Sequence, residues 1–170
     1  TSLGFAVSQR RLFNYSNGRL NADTNVDLSL DLSLKLLGYG FKKIPFKFGK
    51  VHGNFDLDQA DITDLTNMPD EVYGDVIMTN CDSLTSLKGI GVDCLKRIDG
   101  HLYLGGTNIT SNMLGVLKIE GLKAIYCNFG SDKLYEAVQI ISKYLGAGKP
   151  GILDAQQELI DNDLDDFAEF

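Results

Sequence analysis

Residues 51–57 read Val-His-Gly-Asn-Phe-Asp-Leu, and the same apolar-x-Gly-x-apolar-x-apolar order returns at 72–78 (VYGDVIM) and 98–104 (IDGHLYL). A degenerate copy stands at 125–130 (IYCNFG), so the anchor positions Gly53, Gly74, Gly100 and Cys127 are separated by 21, 26 and 27 residues. A second element keeps step with the first: Phe41 and Ile44, Ile62 and Leu65, Leu84 and Leu87, then a looser Ile109 with Met113. Two motifs in one register at a period of about two dozen residues indicate stacked coils, each too small to bury its own apolar face and each completed by its neighbours.

In such a stack the strands pair in parallel about 4.8 Å apart, and alternate side chains point to opposite faces. Counting from the anchor, positions +2 (Phe55, Val76, Leu102, Phe129) and +4 (Leu57, Met78, Leu104) are apolar and form the expected inner ladder. Positions +1 (Asn54, Asp75, His101, Asn128) and +3 (Asp56, Ile77, Tyr103, Gly130) then face outward. The anchor glycines open strands, so they read as backbone devices for a sharp turn or a positive φ, and not as a phosphate loop opening a helix.

The flanks supply the ends of the stack. Val26 to Leu32 alternates with period two and reads as the first coil's strand, with Leu28 placed 27 residues before Phe55. Ahead of it, apolar residues flank Ser16-Asn17-Gly18, a hairpin-turn signal that suggests an N-terminal β-hairpin. Behind the repeat, Leu134, Ala137, Val138, Ile141, Tyr144 and Leu145 follow the N-cap candidate Ser131 at helical spacing. Gly146, Gly148 and Pro150-Gly151 break that pattern, and Ile152, Ala155, Leu159, Ile160, Leu164 and Phe167 form a second stripe. The expected fold is therefore α/β but mainly β. It is a short right-handed solenoid with a parallel sheet, an N-terminal hairpin cap over 1–25, coils over 26–130 and a two-helix cap over 131–170, all one cooperative domain.

The stretch FKKIPFKFGKV (41–51), with HGNFDL, DITDL, MPDEVYGDV and SLTSLKGI after it, resembles the leucine-rich-repeat-like tandem coils of tailed phages and some giant viruses. Those repeats read approximately L-T-S-L-x-G-x-P-x-x-V-x-G-x-F. The likeness spans roughly residues 15 to 130, is close in two coils and loosens in the third and fourth, where proline is absent. The closing ILDAQQELIDNDLDDFAEF also resembles the C-terminal helices of that group. The resemblance implies the fold and a viral origin, and little about activity.

Sixteen basic against twenty-three acidic residues give a formal charge of −7, which opposes direct contact with DNA or RNA. Arg10-Arg11 reads as ordinary solvated surface. Cys81, Cys94 and Cys127 match no zinc spacing and read as buried free thiols in a reducing cytoplasm, the host's cytoplasm if the chain is viral. No apolar run is long enough to span a bilayer. The chain opens on Thr1, so a longer parent protein is an expectation.

No nucleophile, base and orienting group converge in this pattern, and neither a cofactor nor a metal is expected. His101 beside Asp75 is the one acid–base pair that the register would bring together, and on an open sheet it reads as a solvated contact. His52, in the turn before its strand, has no acidic neighbour in this register. The expected function is a non-enzymatic protein-binding module that uses Asn54, Asp56, Asp75, Ile77, His101 and Tyr103, with a bacterial host or viral protein as partner. Two alternatives stand beside it. One is an inhibitor that mimics nucleic acid through Asp161, Asp163, Asp165 and Asp166, directed at a host defence nuclease, and the other is an assembly domain of a larger viral protein.

Overall fold

The structure is a computed structural model and describes residues 12–170. Arg10-Arg11 therefore lies outside the described residues. Two five-stranded sheets wind through the chain as a solenoid. The first contains β1 (Phe13–Ser16), β2 (Arg19–Ala22), β4 (Phe48–Val51), β6 (Glu71–Val72) and β8 (Arg97–Ile98). The second contains β3 (Val26–Asp27), β5 (Phe55–Asp56), β7 (Val76–Ile77), β9 (His101–Tyr103) and β10 (Ala124–Tyr126). All pairings are parallel except the β1–β2 hairpin, whose Asn17 and Gly18 take φ of 52° and 72° as a two-residue turn of the I′ type requires.

Each repeat was expected to supply one strand to one sheet. It supplies two, and the anchor glycine marks the corner between them. The reason lies in the rung above. A Cβ on Gly74 or on Gly100 would stand 2.8 Å from the carbonyl of the glycine one rung earlier, and one on Gly53 would stand 2.6 Å from the Asn25 nitrogen. None of the three has a positive φ, so close approach of stacked backbones, and not left-handed geometry, selects glycine here. Left-handed geometry serves the next corner, where Gln59, Asn80 and Gly106 occupy equivalent places with φ of 62°, 56° and 74°.

The inner ladder is as expected in the middle rungs: Phe55, Leu57, Val76, Met78, Leu102 and Leu104 are all fully buried. The end rungs correct the register. Ile125 pairs with Leu102, so Lys123 and not Cys127 holds the anchor position of the last rung, and Cys127 fills the +4 place. Phe129, expected inside, is 55% exposed and lies over the Gly105-Gly106 turn, where a Cβ on Gly106 would meet its ring at 2.7 Å. At the other end Val26, not Leu28, pairs with Phe55, at a separation of 29 residues. The strand expected over 26–32 stops at Asp27, and a five-residue helix, α1 (Leu32–Leu36), follows. Asp31 caps it by accepting from the Ser33 amide, a bond the alternating pattern conceals.

The second repeat element is buried as expected, from Ile44 and Ile62 to Ile109 and Met113, with Phe41 only partly so. Helix α2 (Asp132–Ser142) starts where its cap requires, with Ser131 Oγ accepting from the Leu134 amide at 3.1 Å. Helix α3 runs Gly148–Asp161, so Pro150-Gly151 lies in its first turns and does not precede it. Proline is tolerated there because its missing N–H has no intrahelical partner to lose. Ile160, expected in the apolar stripe, is 42% exposed, whereas Leu164 and Phe167 are buried beyond the helix. The tail returns to the coils, with the amides of Asn112, Met113 and Leu114 donating to the carbonyls of Asp166, Phe167 and Glu169. One apolar cluster runs from Ala22 to Ala168.

Candidate functional site

The outer face of the second sheet gathers all six residues singled out in the sequence, in two rows with different roles. In the corner row Asn54 Oδ1 accepts from the Asp75 amide at 2.9 Å, and Asp75 Oδ1 accepts from the His101 amide at 2.8 Å. Asn25 begins the row by accepting from the Asn54 amide at 2.8 Å. Each side chain thus satisfies a backbone donor that the glycine corner has pulled out of the sheet ladder. Asn54 and Asp75 are braces of the stack, each with its Oδ1 engaged by the amide of the next rung. His101 adds its Nδ1, 3.1 Å from the same Asp75 oxygen, which orients the ring.

Among the described residues the side chains of the second row make no such bond to a neighbouring rung, and Asp27 and Asp56 accept only from groups two residues further along the chain. Asp27, Asp56, Ile77, Tyr103 and Tyr126 stand in register across five strands. The rings of Tyr103 and Tyr126 stack at 5.1 Å between centroids with an interplanar angle of 22°, and His101 lies 5.4 Å from Tyr126. The row runs from carboxylates through an isoleucine to an aromatic cluster. Burial pushes the Asp56 carboxyl above its ordinary range, against the bond it accepts from the Asp58 amide, and the neighbouring Asp27 and Asp58 push the same way. Tyr126 was not among the sequence candidates, because the shifted register of the last repeat placed it ahead of its anchor instead of beside Tyr103.

The first sheet presents a second outer face that a one-sheet reading could not contain. Lys50, Glu71 and Arg97 stand in register there, with Lys50 Nζ 3.2 Å from Glu71. His52 stacks on Tyr73 at 4.6 Å, and the Arg97 guanidinium lies over the Tyr73 ring, 5.4 Å from its centroid. Tyr73 donates to Glu71 at 2.8 Å. Charges of opposite sign pair along this face, Lys50 with Glu71 and Arg97 with Asp99 at 2.9 Å.

The three thiols are buried and unpaired, and burial pushes Cys81 up to about 12 and Cys94 up to about 11. Among the described residues no group of three or more His, Cys, Asp or Glu side chains is placed to hold a metal ion, and no helix is long and apolar enough to cross a membrane. Comparison with known protein families, with curated proteins and with solved structures finds no match for this chain.

Proposed function

We propose that the chain is a non-enzymatic protein-binding module that engages its partner through the row Asp56, Ile77, Tyr103 and Tyr126, with His101 at its rim. The observation that carries this reading is the aromatic cluster at one end of an otherwise polar face. Tyrosine rings with few rotatable bonds, an apolar neighbour and a rim of carboxylates make the composition of an interface centre and its border. Following the viral resemblance, the partner would be a bacterial host or viral protein in the cytoplasm. The test is affinity capture from bacterial lysate with the intact chain and with Ile77→Asp and Tyr103→Ala, which change the row and leave the corner braces in place. Loss of a specific partner in both variants supports the reading, and an unchanged set of partners overturns it.

A second reading, an acidic mimic of nucleic acid, has one observation in its favour. Asp161, Asp163, Asp165 and Asp166 are all exposed, and none is in an ion pair among the described residues. Its signature is binding that weakens steeply with added salt and is lost when the four carboxylates are neutralised.

A further inference from the structure

We propose that the open edge of β10 accepts an extended segment of a partner protein as one more parallel rung, in the groove between that edge and helix α2. The inference rests on the reading of the chain as a protein-binding module and specifies how part of a partner is held.

The argument begins with the backbone. In every earlier rung of the second sheet, residues on the buried side donate their N–H to the next rung. Val26 donates to Asn54 at 2.8 Å, Phe55 to Asp75 at 2.8 Å, Met78 to Tyr103 at 2.9 Å and Leu104 to Tyr126 at 2.8 Å. By the same rule Ile125 and Cys127 donate away from β9, toward a rung that the described residues do not supply. Among the described residues no strand lies on that side of β10, and no backbone carbonyl accepts from Cys127. The side chains of Ile125 and Cys127 are buried, so the core is closed while the main-chain edge stays open. Such an edge is a template for strand addition unless something blocks it, and this short edge holds no proline.

The surroundings select the occupant. A groove of about 370 Å³ separates the edge from Tyr135, Gln139 and Ser142, which line one side of α2. A groove walled by the strand edge on one side and by α2 on the other suits one extended segment laid along β10. The side-chain row adds a preference. The Tyr103–Tyr126 stack ends at Tyr126, which is 40% exposed and has no further ring stacked on it among the described residues. A planar side chain at the equivalent position of the incoming segment would continue the stack.

A synthetic peptide with the chain's own rung sequence IDGHLYLGG, residues 98–106, is the probe. Titrated into the isotope-labelled full chain, it is expected to bind saturably, shifting the Ile125 and Cys127 amides and slowing their hydrogen exchange. N-methylation at the residue equivalent to Tyr103 removes the N–H that would donate to the Ile125 carbonyl, and should abolish binding. N-methylation at the residue equivalent to Leu102, whose N–H points away from β10, should not. Tyr126→Ala should weaken binding about tenfold. Absence of saturable binding, equal binding of the two methylated peptides, or amide shifts confined to the outer face overturns the proposal. So does a concentration-dependent dimer of the chain that protects the same two amides. Partner capture that depends on Ile77 and Tyr103 would survive any of these results, which separates failure of the edge from failure of the face.

Discussion

A single carboxylate oxygen of Asp75 serves two atoms of His101, the backbone N–H at 2.8 Å and the ring Nδ1 at 3.1 Å. The backbone bond is the structural one, because Asn54 makes the same contact one rung earlier without any ring to orient. Asp75→Asn should therefore keep the fold within about 0.5 kcal/mol, whereas Asp75→Ala leaves the His101 amide without its acceptor and should cost about 1–3 kcal/mol. Urea unfolding of both variants measures the contrast, and equal losses would show that charge and not the acceptor matters.

Gly100 stands under the Gly74 carbonyl, so Gly100→Ala forces backbone against backbone and should cost about 2–3 kcal/mol. Gly146 provides the comparison: its φ is 76°, but nothing lies within 4 Å of the added Cβ. Gly146→Ala should cost only about 1 kcal/mol, the strain of left-handed backbone. Thermal unfolding ranks the two.

Asp56 predicts a pH dependence of definite sign. Its carboxyl holds its proton more tightly in the fold than in the unfolded chain. The stability this contributes is fully present below the ordinary aspartate value of about 3.9 and is lost as pH rises through the higher folded value. Asp56→Asn keeps the acceptor for the Asp58 amide and removes that loss. The variant should melt roughly 1–3 °C above the parent at neutral pH, a modest gain because solvent screens a part-buried charge, and the difference should vanish in acid.

Lys35 fastens α1 to two later turns, with its Nζ 2.8 Å from Asp82 and 3.0 Å from the Asn80 carbonyl, and its side chain only 12% exposed. Lys35→Ala should cost about 1–3 kcal/mol and open the segment around α1 to limited proteolysis before the coils unfold. Cleavage elsewhere first would show that α1 is held by other contacts.

Because burial keeps the thiols protonated, Cys81 and Cys94 should be inert to a disulfide reagent at pH 8 and react at once in concentrated guanidinium. Counting modified thiols under both conditions checks this.

The repeat was legible because stacking imposes it on composition: an apolar residue must recur wherever a rung meets the core, and glycine wherever two backbones touch. Phe129 and Leu28 show the limit of that reading. Their register was misplaced by four and by two residues, and period-two alternation is blind to even shifts, since each keeps every apolar side chain on the same face. Only the pairing of Ile125 with Leu102 and of Val26 with Phe55 removes the ambiguity. The outer residues were found for a related reason, as the positions between buried ones, while Tyr126 was lost with the last register. The division of Asn54 and Asp75 from Asp56, Ile77 and Tyr103 was not legible at all, because an outward position looks the same whether its oxygen meets water or the amide of the next rung.

By itself the sequence determined a stacked solenoid with hairpin and helical ends, since the spacing of glycines and buried apolar residues leaves no other way to hide those rows from water. The tertiary structure alone decided that each rung turns a corner into two sheets, which polar side chains brace those corners, and that the last strand keeps an open edge beside α2. These depend on which backbone atoms come within hydrogen-bonding distance across two dozen residues of chain, and no local pattern encodes a distance of that kind.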